Sequence, residues 1–320
     1  MNNNEVVEFA NIKIVDSMKL GKNDYCYIDS FKTEKSIRKL IIKDHLSDAL
    51  SNRKLKLVYQ PQLDVKSNDV FGVETLLRWT HPTLGKIKPS EFIYIAHELR
   101  LMYDLFKYTF KQMCEDISKL RKSLIGIQNF SVNISVEQLM EESLIATIDY
   151  ITQKYNINPS SITFELTEDI EIVNLSKIIV ILNSLKDRGY KIAMDDFGNG
   201  YFSFSNLIDL PINYVKLDKS FADRVHNKRD INFVKDIINI VKKLGCKIII
   251  EGVETLYQYE QWSRLNCDYI QGYITSRPIS KEKLEEVVIV INEKFGDDKP
   301  LFITNSDYIV NHGDGSNDSV

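Results

Sequence analysis

The sequence predicts an α/β fold, a modified (β/α)8 barrel in which one strand runs antiparallel to the rest. Three observations lead there. Eight short strand-like runs recur along the 320 residues, and from the second onward helical segments separate them. That alternation wraps helices around a mostly parallel sheet. The first two runs, "LKLVYQPQLDV" and "VFGVETLLRW", are joined only by "KSND", a turn of hairpin length that reverses the chain. The length also suits one barrel of roughly 250 residues with short additions at its ends.

Each element follows in order. Residues 1–32 form an N-terminal extension to which the sequence assigns no role. The barrel is expected over 33–295. It opens with "EKSIRKLIIKDHLSDALSNRK", an amphipathic helix that runs into the first strand. After the hairpin, Pro89 and Ser90 supply an N-terminal signal for the helix "EFIYIAHELRL". Six further strands are read in "NFSVNIS", "SITFELTE", "YKIAMDDF", "INYVKLD", "CKIIIEGVE" and "CDYIQGY". In "LKDRGYK" and "VKKLGCK" a glycine stands where a helix C-cap belongs. Residues 296–320 are polar and turn-rich, and a mobile tail is expected there. The expected architecture is TIM-like.

Composition narrows the partners. The chain is 43% hydrophobic and 27% charged with a formal net charge of −4, and no basic domain or arm points to a nucleic-acid duplex. Cys26, Cys114, Cys246 and Cys267 are scattered without a CxxC pair, as in reduced packing cysteines of a cytoplasmic protein. "MNNNEVVEFANIKIVD" lacks a basic stretch followed by an apolar core, so no signal peptide is expected. No run approaches the ~18 apolar residues of a membrane span; lysines and an aspartate make "INFVKDIINIVKKLG" amphipathic.

The chemistry lies where the strands end. The second carries Glu74 and Arg78, the third Asn133, the fourth Glu165 and Glu168, and the fifth Asp195 and Asp196. Lys216 and Asp218 follow on the sixth, Glu251 and Glu254 on the seventh, Gln271 on the eighth. In a barrel these ends share one rim, where catalytic groups gather. Crowded carboxylates repel, so some must hold protons or a cation must neutralise them. Oxygen donors with one amide suit Mg²⁺ or Mn²⁺, whereas His45, His81, His97, His226 and His312 are ungrouped and do not suggest zinc. Taken singly, Glu168 or Asp218 reads as a helix cap, and Lys216 as the ion-pair partner of a barrel carboxylate. Coincidence is a poor account of the whole set on successive strands. In "KIAMDDFGNG" the strand is expected to end at Asp195, with Asp196 already in the turn and Gly198 and Gly200 allowing the loop to adjust.

From about Leu40 to Leu284 the ordered motifs "YQPQLD", "ETLLRWTHP", "VNIS", "FELTE", "DDFGNGY", "VKLDKSF", "IEGVET" and "QGYITSRP" resemble the EAL-domain phosphodiesterases that hydrolyse cyclic di-GMP. Thr75 stands where alanine is commonest in that family. The resemblance implies that Glu74, Asn133, Glu165 and Asp195 ligate one divalent cation, and that Asp195, Asp196 and Glu251 ligate a second. It implies that Lys216 orients the attacking water and that Glu251 is a candidate general base. Glu168 and Glu254, with Gly198 and Gly200, would support the site and its loop; Gln60, Leu76, Arg78, Asp218 and Gln271 would meet the substrate. The implied reaction opens cyclic di-GMP to linear pGpG, and a homodimer through the barrel is expected. The loop "DFGNGYFSFSNL" departs from the family's usual DFGTGYSSLSYL at Phe202 and Phe204, which implies altered regulation, a changed dimer contact, or local packing against the next helix. A catalytically silent domain that binds the nucleotide or a protein is the alternative. A two-carboxylate glycosidase would leave Asn133 and Lys216 unexplained. No Gly-Gly dipeptide occurs, so the cyclase motif of the opposite activity is absent.

Overall fold

The computed structural model describes residues 30–120, 126–167, 175–198, 204–224 and 228–295. The described residues divide into two compact units, one within 30–56 and 78–105, the other within 57–77 and 106–295. Residues 1–29 of the expected extension and the tail 296–320 lie outside the described residues; the helix α1 (Ser30–Ser51) begins three residues before the expected barrel boundary.

In the first unit, Ile42, Leu46 and Ala49 of α1 are buried at helical spacing. The helix meets α2 (Pro89–Glu98), which buries Phe92, Ile95 and Ala96. Arg38 clamps the two through a forked pair of hydrogen bonds to Glu91, 2.7 and 3.2 Å. The strand β1 (Leu55–Asp64) starts here and β2 (Val70–His81) ends here, where Trp79–His81 pairs antiparallel with a short strand, β3 (Gly85–Ile87). Three residues carry no periodicity, so the sequence offered no sign of β3. The buried His81 accepts at Nδ1 from the amides of Thr83 and Leu84, 3.2 and 3.3 Å. The helix α3 (Met102–Leu120) also begins in this unit.

The second unit holds the barrel. Its chain order continues with β4 (Asn129–Asn133), α4 (Val136–Leu139), α5 (Leu144–Tyr155), β5 (Ile162–Thr167), α6 (Leu175–Asp187) and β6 (Lys191–Phe197). There follow α7 (Phe204–Asp209), β7 (Tyr214–Leu217), α8 (Lys219–Ala222), α9 (Lys228–Lys243), β8 (Lys247–Ile250), α10 (Leu256–Arg264), β9 (Tyr269–Gln271) and α11 (Lys281–Phe295). The sheet order is β1-β9-β8-β7-β6-β5-β4-β2-β3, and a β1–β2 pairing closes eight of these strands into a ring. From β2 through β4 to β9 the strands are parallel, and β1 runs against them, antiparallel to β9. That is the modified barrel the sequence predicts, with the antiparallel strand first.

Alternation sets the interior. Ala193, Tyr214, Ile249 and Tyr269 on β6 to β9, with Phe71 of β2, form one buried cluster inside the ring. Period two then puts Lys191 below Ala193 and Asp195 above it. The other face is just as apolar: Ile192, Met194, Val215, Ile248 and Ile270 are all buried, as strands covered by helices require. The α6 residues Ile178, Leu182 and Leu185 and the α9 residues Val234, Ile238 and Val241 supply that cover. Cys114, Cys246 and Cys267 are buried and free, in keeping with packing cysteines. Among the described residues no helix is long and apolar enough to cross a membrane.

One local expectation is corrected. The strand β6 does not stop at Asp195 but runs to Phe197, and its register with β7 shifts between Met194 and Phe197. Asp196 has φ 53°, a left-handed conformation that a bulge imposes and that Asp tolerates better than most residues. The two adjacent acids are therefore a strand bulge. Without it, period two would send their side chains to opposite faces.

Candidate active site

The rim is built around Lys216. Placed on β7 by the same alternation as Tyr214, its ammonium is fully buried. It lies 2.7 Å from Glu251, 2.8 Å from Glu165, 2.9 Å from Asp195 and 3.6 Å from Glu74. Burial alone would pull the Lys216 amine down, but Asp195, Glu165, Glu251 and Glu74 outweigh that and hold it well above its ordinary value. Lys216 is therefore a cation at any physiological pH.

One positive charge does not balance this group. Burial raises the carboxyl of Glu165 well above its usual range despite Lys216. It raises Glu251 to about 8, again against Lys216, and Asp196 rises through burial and then through Asp195. Each shift expresses excess negative charge in a site of limited solvation. Two sets of three carboxylates each bring one oxygen within 4.8 Å of the others: Glu74, Glu165 and Asp195, then Asp195, Asp196 and Glu251. Asp195 belongs to both. Among the described residues the buried Oε1 of Glu165 has no hydrogen-bond partner. The donor set fits a hard divalent cation, for which carboxylate oxygens are the natural ligands.

Amides frame the acids. Asn133 Nδ2 donates to Glu74 Oε1 at 3.2 Å. Gln271 Nε2 donates to Glu74 Oε2 at 2.5 Å and to Gln60 Oε1 at 3.2 Å, while Gln60 Nε2 donates to the Ser276 carbonyl at 3.2 Å. Gln62 Nε2 donates to Gln271 Oε1 at 2.9 Å. The family resemblance does not single out Gln62. Its signal was period two in "YQPQLD", which sets Gln62 on the face of Gln60.

Other candidates are placed differently. Leu76 is half-buried two residues beyond Glu74 on β2. Arg78 belongs to the first unit. Asp218 caps α8, accepting from the Ser220 amide at 2.8 Å, and Glu254 pairs on the surface with Lys219 at 2.6 Å. Gly198 has φ 104°, and a Cβ there would stand 2.5 Å from the Phe221 ring. Glu168, Gly200 and Phe202 lie outside the described residues, as does the side chain of Phe204, whose backbone opens α7.

Comparison with known proteins agrees with this geometry. A family model described as EAL domain matches residues 43–278. The chain is 32% identical over 267 residues to the oxygen sensor protein DosP of Escherichia coli K12, covering 83% of this chain and 33% of that protein. It is also 32% identical over 265 residues to the bifunctional diguanylate cyclase/cyclic di-GMP phosphodiesterase MucR of Pseudomonas aeruginosa, covering 82% and 39%. The chain thus spans between a third and two fifths of these relatives. A solved structure titled "PaMucR Phosphodiesterase, c-di-GMP complex" matches with a TM-score of 0.71 and 32% identity, over 76% of this chain and 99% of that one. An EAL domain protein from Listeria monocytogenes matches with a TM-score of 0.66 and 28% identity, over 77% and 97%.

Proposed function

The chain belongs to the EAL domain family, and from that premise we propose that it is a metal-dependent phosphodiesterase that hydrolyses cyclic di-GMP to linear 5'-pGpG. The observation that carries this reading is the shared Asp195: two three-carboxylate groups meet on it, around one buried ammonium. Glu74, Asn133, Glu165 and Asp195 would hold one divalent cation, and Asp195, Asp196 and Glu251 a second, either Mg²⁺ or Mn²⁺. Such cations lower the pKa of a bound water and stabilise charge on the phosphoryl oxygens.

The chain's own groups do the rest. Lys216, a permanent cation with three short contacts, orients the attacking water and offsets charge. Glu251 takes the water's proton when ionised, which cation binding beside it favours. Gln60, Leu76, Arg78, Asp218 and Gln271 receive the dinucleotide, and the planar fork of Arg78 suits phosphate oxygens. Glu168 and Glu254 support the cation ligands, and Gly198 and Gly200 let the intervening loop adapt. The same reading takes the cytoplasm as the place of action and a homodimer through the barrel as the assembly.

Purified protein incubated with cyclic di-GMP and Mn²⁺ should release pGpG, resolved by chromatography. Glu74→Ala and Asp195→Ala should each lower turnover at least ~100-fold while the circular dichroism spectrum is kept. Binding of cyclic di-GMP without pGpG release would replace this reading with that of a silent receptor. Near-normal turnover by Asp195→Ala would overturn the shared-ligand assignment.

A further inference from the structure

We infer that Gln62 is a positioning residue for the cation site, acting through Gln271 to fix the carboxylate of Glu74. This rests on the assignment of Glu74 as a cation ligand. A carboxylate oxygen accepts, and Gln271 turns its amide nitrogen toward Glu74 Oε2 at 2.5 Å. The Gln271 oxygen then faces the other way and needs a donor. Gln62 Nε2 supplies it at 2.9 Å.

An amide can flip end for end with little change in shape. A flipped Gln271 would set its oxygen against the Glu74 carboxylate and its NH₂ against the NH₂ of Gln62. The Gln62 donor makes that orientation unfavourable. With Asn133 donating to the other oxygen of Glu74, both carboxylate oxygens are tied and the plane of the ligand is set before any cation arrives. Partners that hold a ligating carboxylate in this way tune metal affinity.

A purely structural role explains Gln62 less well. The side chain is fully buried, and its own Oε1 has no hydrogen-bond partner. For packing alone an apolar side chain of equal volume would remove that orphaned acceptor. What glutamine supplies and an apolar residue lacks is the donor to Gln271.

Mn²⁺ affinity of the full chain, measured by titration calorimetry without substrate, tests this. Gln62→Met keeps the volume and loses the donor, and should weaken Mn²⁺ binding about 10-fold with unchanged circular dichroism. In a Gln271→Met background the same change should have no further effect, because its route to Glu74 is already cut. Wild-type affinity in Gln62→Met, or losses that multiply in the double variant, would each overturn the inference. Glu74→Ala separates the two levels. If it leaves Mn²⁺ affinity unchanged, the cation site itself is wrong and the inference falls with it; if it abolishes binding while Gln62→Met does not weaken it, only the role of Gln62 fails.

Discussion

Lys216 faces four carboxylates, within 2.7 to 3.6 Å, and its loss leaves their repulsion uncompensated. Removing one partner of a buried ion pair typically costs about 3–5 kcal/mol. Metal-free Lys216→Ala should therefore melt well below the wild type, and Mn²⁺ should recover part of the difference by returning positive charge; a thermal scan with chelator and then with Mn²⁺ checks this. Turnover should fall at least ~100-fold even with Mn²⁺ present, since a cation that restores stability does not restore the group orienting the water. His81 makes a separate case. Burial lowers its pKa from the ordinary 6.5, and the nearby His45, Lys54 and Arg38 add to that. Its Nδ1 already accepts two amides, so protonation there would break both bonds. The unfolded chain takes up this proton at about pH 6.5 and the folded chain only at lower pH. Stability is thus present above about pH 6.5 and falls as the pH drops toward the folded pKa. Histidine resonances followed by NMR should show one ring titrating below 6.5, and His81→Gln should remove that part of the acid sensitivity.

At the scale of elements, the bulge in β6 and the turn after it decide how the acids are aimed. Gly198 sits in that turn at φ 104°, where a Cβ would stand 2.5 Å from the Phe221 ring. Gly198→Ala should cost about 1–3 kcal/mol from strain and contact together, seen as a lower melting temperature, and should lower turnover by shifting Asp195 and Asp196. Unchanged melting would show that the turn relaxes freely. The elements also show what a sequence can express. "YKIAMDDF" and "SITFELTE" declare themselves as strands through their apolar runs, and their terminal acids were legible for the same reason. The bulge was not, because a positive φ at Asp196 depends on the neighbouring strand's register. The strand β3 was too short to leave a pattern. Asp218 reads as a cap and as a site residue, and its cap on α8 bears only on the first.

For the molecule as a whole, cation binding and folding are coupled. If the carboxylate cluster binds Mn²⁺ only when assembled, Mn²⁺ at 100 times its dissociation constant should add about 2.7 kcal/mol to stability. That corresponds to a rise of about 4 °C in melting temperature for a chain of 320 residues, reversed by chelation, and absence of any shift would speak against a cation site. The sequence by itself determined the barrel, the reversed first strand, and the kinds of groups that end each strand. These follow from local rules, a period of two along strands and glycines at helix ends. Only the tertiary structure decided which acids share one ammonium, that Asp195 and Asp196 form a bulge, and that Gln62 reaches Gln271. Ring closure places β1 beside β9 and joins residues 209 positions apart. A periodicity confined to a few neighbouring residues carries no information about partners that distant.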